Sequence, residues 1–272
     1  MQDYPTQYFN TLEKISNLKM NRTALITGAT SGIGKATAKV FADQNINLIL
    51  CGRNEEALKQ LKDELSEKVE VTTLAFDVRN KLKVFELING LPEGFQKIDI
   101  LINNAGNAHG LDPIQIGNTD DWDAMLDINV KGLLYVSKAV IPKMIKNNSG
   151  HIINIGSTAG KEVYPNGNVY CASKYAVDAI NQGMRIDLNK TGIRVGAVNP
   201  GLVQTGFSNV RFKGDEERAE KVYQGFQPLT PEDIADIISF VVSRPYHVNI
   251  ADLTVMPTAQ ASSTIVDRKS NE

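Results

Sequence analysis

From about Asn21 onward, apolar and polar positions fall into blocks with two periods. Thr23–Ile26 is a short apolar run that leads into Gly28, and Ile33–Ala42 then places apolar residues three and four apart. Short unbroken apolar runs fit strands covered on both faces, whereas three-to-four spacing lines one side of a helix. The same two periods predict further strands at 47–50, 69–76, 98–102, 151–155 and 193–198, and helices at 55–65, 81–88, 121–127, 132–146 and 172–188. A polar segment at 205–227 interrupts the rhythm. Beyond it, Pro231–Val242 reads as a helix capped by Thr230, and Asp252–Met256 as a last strand. Before it all, Tyr8, Leu12, Ile15 and Leu18 are spaced as one stripe of a short helix within an extension at 1–19.

Regular alternation of strands and helices predicts a parallel sheet with helices on both faces. The expected fold class is therefore α/β, a doubly wound Rossmann-type sheet in a single domain over 20–272. Composition adds boundaries to this picture. With 272 residues, 42% of them hydrophobic, the chain can bury a core without disulfide or metal staples. A net charge of −2 with acids and bases interspersed gives no footprint for nucleic acid. No run approaches a membrane span, no secretory leader is visible, and Cys51 and Cys171 lack the spacing of a zinc site. A cytoplasmic protein without a metal is expected. His109, His151 and His247 are scattered and read as loop or surface residues, while Cys171 and Trp122 read as packing residues.

Chemistry enters where the first strand ends. Thr27-Gly28-Ala29-Thr30-Ser31-Gly32-Ile33-Gly34 places three glycines between a strand and a helix. Glycine permits the tight turn and a close approach of backbone to a pyrophosphate, and the helix N-terminus offers free N–H groups to that anion. A dinucleotide site is predicted. Its preference is read at the end of the second strand, where NAD-binding proteins carry an acid for the ribose 2′-hydroxyl. Here the segment is Cys51-Gly52-Arg53-Asn54, so the acid is missing and a guanidinium follows. That favours a 2′-phosphate and hence NADP(H), with Thr30 or Ser31 as further donors. The alternative for Arg53 is a surface side chain near a helix start.

Downstream, Tyr170 and Lys174 lie four apart on one helical face, a pairing suited to a general acid/base because a nearby ammonium favours the phenolate. Ser157 follows the fifth strand, where open α/β sheets bind ligands, and its hydroxyl suits a substrate oxygen that gains charge. Within 205–227, Arg211 stands among the aromatics Phe207 and Phe212 and matches a carboxylate bidentately; the competing reading is an ion pair with Asp215, Glu216 or Glu217.

These pieces, together with Asn103-Asn104-Ala105-Gly106, Asn129 and Asn199-Pro200-Gly201, resemble the short-chain dehydrogenase/reductase family in their order and spacing over residues 22–260. Within it, Phe207, Val210-Arg211-Phe212-Lys213-Gly214-Asp215, Pro228-Leu229-Thr230, His247-Val248-Asn249-Ile250 and Pro257-Thr258 with Gln260 are similar to NADP-dependent 3-hydroxy acid (serine or allo-threonine) dehydrogenases. The resemblance implies Asn129, Ser157, Tyr170 and Lys174 as the catalytic set, Asn129 holding a water of a proton relay and Lys174 also binding the nicotinamide ribose. It implies Asn103, Ala105 and Gly106 beside the adenosine ribose, and Asp77 at the adenine amino group unless it serves as a helix cap. Pro200, Gly201 and Thr205 are implied at the carboxamide end, and a homotetramer packed through the helices at 132–146 and 172–188. A broad carbonyl or 3-oxoacyl reductase is the alternative on the same scaffold. A non-catalytic dinucleotide sensor is the alternative of another class, which has little need of the four catalytic positions.

Overall fold

The computed structural model describes residues 21–269. The stripe predicted at Tyr8–Leu18 lies outside them. Seven strands form one parallel sheet: β1 (Thr23–Thr27), β2 (Asn47–Gly52), β3 (Val71–Ala75), β4 (Ile100–Asn103), β5 (Gly150–Ile155), β6 (Ile193–Pro200) and β7 (Asp252–Val255), in the order β3-β2-β1-β4-β5-β6-β7. The helices are α1 (Gly32–Asp43), α2 (Glu55–Leu65), α3 (Lys81–Asn89), α4 (Thr119–Leu126), α5 (Leu133–Lys146), α6 (Asn168–Asp187), α7 (Phe207–Arg211), α8 (Glu216–Lys221) and α9 (Pro231–Ser243). Among the described residues no helix is long and apolar enough to cross a membrane.

Strand β1 shows why its residues are apolar on both sides. Leu25 pairs in register with Ile49 and Leu101, and these three join one buried cluster with Val84 of α3 and Val136 of α5. Its neighbours Ala24 and Ile26 face the other way, into a cluster with Phe41 of α1, Leu58 of α2 and Ile238 of α9. Two cores on one sheet leave no solvated face for polar alternation. α9 is closed by a capping box: the Thr230 hydroxyl accepts from Asp233 N, the Asp233 carboxylate accepts from Thr230 N, and Pro231 occupies the first turn. Such caps stabilise a helix by about 1 kcal/mol.

The structure departs from the sequence reading in one segment and at one histidine. The polar segment at 205–227 contains the short helices α7 and α8. His151, at the start of the strand expected at 151–155 and given a loop or surface role, is buried in β5 at 2% exposed, with no hydrogen-bond partner for either ring nitrogen among the described residues. Burial, with the cations Arg194 and Arg22 nearby, pushes its pKa down to about 3. The unfolded imidazole takes up a proton first as pH falls. Its stabilising contribution is therefore complete above about pH 6.5 and is lost at roughly 1.4 kcal/mol per pH unit below that, until pH approaches 3. Denaturant unfolding at pH 7 and pH 5, at one protein concentration, is expected to differ by about 2 kcal/mol more in the parent than in His151→Leu. Equal differences in the two proteins would contradict it.

Sheet order sets the place of the site. The chain passes from β1 outward to β3, then returns to the other side of β1 through β4. The two connections leave the carboxyl ends of β1 and β4 in opposite directions, which opens a crevice there.

Candidate active site

A cleft of about 670 Å³ occupies this crevice. Its floor is the turn after β1. Gly28 has φ +64°, and a Cβ there would come 2.9 Å from the Asn104 amide nitrogen. Gly34 lies behind the turn, where a Cβ would sit 2.3 Å from the Gly28 carbonyl, so α1 packs directly on the turn only as glycine. Ser31 is the N-cap of α1, but its hydroxyl makes no capping bond. Thr30, Ser31, Gly32 and Ile33 all line the cleft, with the open N-terminus of α1 behind them.

Thr27, the last residue of β1, ties this turn to the next one. Its hydroxyl oxygen accepts from Asn104 N at 3.0 Å and Ala105 N at 2.9 Å, while the Asn104 side chain donates to Thr27 O at 2.9 Å. Asn104, Ala105 and Gly106 thereby form the cleft wall. Past the end of β2, Gly52, the exposed Arg53 and Asp77 face the same space. The Asp77 carboxylate accepts both Arg79 Nε and Nη2, and this contact holds it below the usual carboxylate range. It does not cap α3, because Asn80 does. Pro200, Gly201 and Thr205 close the far side, and the Thr205 methyl would meet a Cβ on Gly32 at 3.3 Å.

The reacting groups stand at the ends of β5 and α6. The Ser157 hydroxyl accepts from Ala159 N at 3.1 Å, which leaves its hydrogen to donate. Tyr170 and Lys174 occupy the first turns of α6, which starts at Asn168, one turn earlier than the pattern predicted. Lys174 donates to Ile155 O at 2.9 Å and keeps two further N–H bonds. Burial pushes its pKa down to about 8. The Tyr170 phenol is pushed up by burial, and then by Tyr164, against the opposing pull of Ser157 and Arg211. In this state the phenol is protonated at neutral pH. The groups that ease its ionisation are Ser157 and Arg211, while Lys174, which the sequence reading gave that role, donates to Ile155 O.

Asn129 sits in a π-helical turn, Asp127–Gly132, between α4 and α5. Such turns are rare and concentrate at functional sites. Its amide donates to Asn107 O at 2.8 Å and Ser173 Oγ at 3.0 Å, and its oxygen accepts from Asn107 N. A Cβ placed on Gly106 would lie 3.1 Å from Asn129 Oδ1 and 3.6 Å from Lys174 Nζ, so the absence of a side chain at Gly106 brings these groups close together.

Over the cleft lies the segment of α7 and α8. Phe207 meets the Tyr170 ring edge-on at 5.6 Å between centroids. Lys213 pairs with Asp121 at 2.9 Å and fastens the segment to α4. Arg211 forms none of the ion pairs weighed against it: Asp215 instead caps α8. Its Nε donates to Gly110 O and its Nη1 to Tyr164 Oη, while Nη2 is buried without a partner among the described residues.

A scan of protein families matches the short chain dehydrogenase profile over residues 22–216. The chain belongs to the short-chain dehydrogenase family. A Salmonella typhi protein named NADP-dependent 3-hydroxy acid dehydrogenase is 47% identical over 238 residues, covering 87% of this chain and 95% of that protein. Sulfoacetaldehyde reductase 2 of Chromohalobacter salexigens is 45% identical and covers 92% of this chain and 100% of its own. Among solved structures, the closed form of serine dehydrogenase complexed with NADP+ superposes with a TM-score of 0.85 at 44% identity, over 91% of this chain and all of that one.

In this short-chain dehydrogenase most of the sequence-predicted residues line the one cleft, while Gly34 and Asn129 lie behind its wall and Asn103 points away from it. Asn103 does not reach the cleft: it is 4% exposed and donates to Ser137 Oγ and Asn154 Oδ1, both at 2.9 Å. It is the last residue of β4, and its side chain turns into the β4–β5–α5 interior. Asn104 takes the place beside the turn. Tyr164 was not anticipated, since it belongs to no Gly-rich turn or spaced pair. Its nearest signal is its position between Ser157 and Tyr170, on the chain that must line the pocket.

Proposed function

We propose that this short-chain dehydrogenase is an NADP(H)-dependent oxidoreductase that interconverts a short 3-hydroxy acid or hydroxy amino acid and its 3-oxo form. The observation that carries this reading is the buried, unpartnered Nη2 of Arg211 beside Tyr170. A buried guanidinium N–H without an acceptor is costly, and an anionic substrate group supplies one. The names of the relatives agree in kind, since a 3-hydroxy acid, serine and sulfoacetaldehyde each carry an acid group.

The residues present fit the dinucleotide. Gly28 and Gly34 keep the turn free of side chains, the Ser31 hydroxyl is uncommitted, and the N-terminus of α1 faces the cleft. Ala105 and Gly106 would flank the adenosine ribose, and Pro200, Gly201 and Thr205 the carboxamide end. When bound, the nicotinamide supplies or accepts the hydride. The chain's own residues do the rest. In reduction Tyr170 donates its proton to the carbonyl oxygen, which Ser157 holds by donating a hydrogen bond. In oxidation Tyr170 removes the hydroxyl proton. Lys174, anchored on Ile155 O, has two N–H bonds left that would hold the ribose hydroxyls. Asn129 fixes the loop at Asn107 and lies where a water could carry the proton outward from Lys174.

Gly52 and the exposed Arg53 favour the 2′-phosphate. Arg53→Ala is expected to raise KM for NADPH about tenfold, a modest effect because the pair is solvent-screened, and to leave KM for NADH within about twofold. Equal kcat/KM for NADH and NADPH in the parent would contradict the assignment. The same reading places a homotetramer in the cytoplasm. Leu134 and Ile145 on α5 and Ile186 on α6 are exposed apolar side chains available to a second copy, a mass that sedimentation reads directly, and Cys51 and Cys171 are free and buried.

A further inference from the structure

The Arg211 fork is held from two sides. Nε donates to Gly110 O at 3.1 Å and Nη1 donates to Tyr164 Oη at 2.9 Å. The Tyr164 ring also lies against the guanidinium, 5.5 Å from Cζ to centroid. The phenol oxygen is thus committed as an acceptor, and its own hydrogen has no acceptor among the described residues. Tyr164, Arg211, Tyr170 and Ser157 all line the one cleft. A hydroxyl that accepts from a cation is polarised into a stronger donor.

The ring has little freedom to leave. Gly167 N donates to Tyr164 O at 3.1 Å, and a Cβ on Gly167 would lie 2.2 Å from the Tyr164 ring. The turn therefore lays the ring flat on the Gly167 backbone at the start of α6. Burial raises the Tyr164 pKa, with Arg211 acting the other way, so the phenol keeps its proton through the neutral range.

We infer that Tyr164 is a substrate-binding residue: its hydroxyl donates to the acid group that Arg211 Nη2 anchors, so that each of two acid oxygens has its own donor. This rests on the reading of Arg211 as the acid anchor and adds a second, neutral donor to it. A carboxylate, or an acid with tetrahedral oxygens, can accept from both groups at once. A neutral ketone offers nothing to either. Tyr164 thereby contributes to the choice between acid and neutral substrates, while Tyr170 contributes to the chemistry.

Tyr164→Phe keeps the ring on Gly167 and under the guanidinium and removes only the oxygen. The ratio of kcat/KM for serine or 3-hydroxypropionate to kcat/KM for a neutral primary alcohol of similar size is expected to fall on the order of tenfold or more, mainly through KM for the acid. The same substitution made in an Arg211→Ala background is expected to lower that ratio again, by about threefold or more, because the phenol still reaches the acid. If Tyr164→Phe has no further effect there, Tyr164 only holds Arg211 and the inference is overturned. If Arg211→Ala destroys acid preference and Tyr164→Phe alone leaves it intact, the anchor stands and the inference falls. If Arg211→Ala weakens acid and neutral substrates equally, the anchor reading itself is overturned.

Discussion

Tyr170→Phe is expected to lower kcat by between about 10² and 10⁴, while the dissociation constant for NADPH stays within about threefold. The substitution removes the transferable proton and nothing else of size. The ring still packs edge-on against Phe207, and the cluster with Met125 and Cys171 is kept. Tyr170 is 8% exposed and burial raises its pKa, so the phenol is neutral at the pH of the assay, the form that the proposed reduction requires of its acid. Ser157 alone then stabilises the developing charge without delivering a proton. Lys174→Ala is different in kind, since it empties a buried site and removes donors from the ribose as well. Steady-state kinetics with a fluorescence titration of the dinucleotide separates the two effects. A Tyr170→Phe enzyme within tenfold of the parent would contradict the acid/base assignment.

Arg211→Ala is expected to reduce kcat/KM for a 3-hydroxy acid by roughly 30- to 150-fold, about 2–3 kcal/mol for a charge-assisted contact in a closed site. A neutral substrate should lose far less. Part of the loss should appear in kcat, because an acid held by a fork is also oriented, and loss of orientation lowers turnover as well as affinity. The side chain also joins the overlying segment to the loop at Gly110, through Arg211 Nε to Gly110 O, beside the backbone bond from Gly110 N to Arg211 O that the substitution leaves in place. Arg211→Lys keeps the charge and gives up the fork, so it should recover only a small part of the acid preference. Equal losses on acidic and neutral substrates would leave the guanidinium without a recognition role.

The fold was legible because both faces of the sheet are covered. Runs such as Leu48–Cys51 and Ile100–Ile102 had to be apolar throughout, and the helices between them kept one apolar side. The phosphate-binding turn was legible because Gly28 has to adopt positive φ and Gly34 has to pack against a carbonyl, and both demands leave glycines at fixed spacing. What was not legible depends on the direction of single side chains. Asn103 and Asn104 are adjacent and chemically identical, yet the end of β4 sends one into the interior and the other to the turn. The π-helical turn around Asn129 spans six residues, too few to register a period different from that of an α-helix. α7 and α8 have five and six residues, below the length at which an apolar stripe emerges. His151 opens the strand expected at 151–155 beside Ile152 and Ile153, and no local pattern says that its polar ring points into the interior rather than to the surface. The Tyr164–Arg211 contact joins residues 47 apart in sequence and exists only once the segment has folded over the cleft.

The central claim is that hydride transfer here uses NADP(H) on a substrate whose acid group Arg211 holds. The most direct measurement is kcat/KM of the unaltered protein, followed by the absorbance of the reduced dinucleotide, across paired substrates: 3-hydroxypropionate and serine with NADP+, and neutral primary alcohols of similar size, each repeated with NAD+. The account predicts kcat/KM at least tenfold higher for the acids than for the neutral alcohols, and higher with NADP+ than with NAD+. Comparable turnover of acids and neutral alcohols, or no turnover of any of them with either dinucleotide, would contradict it.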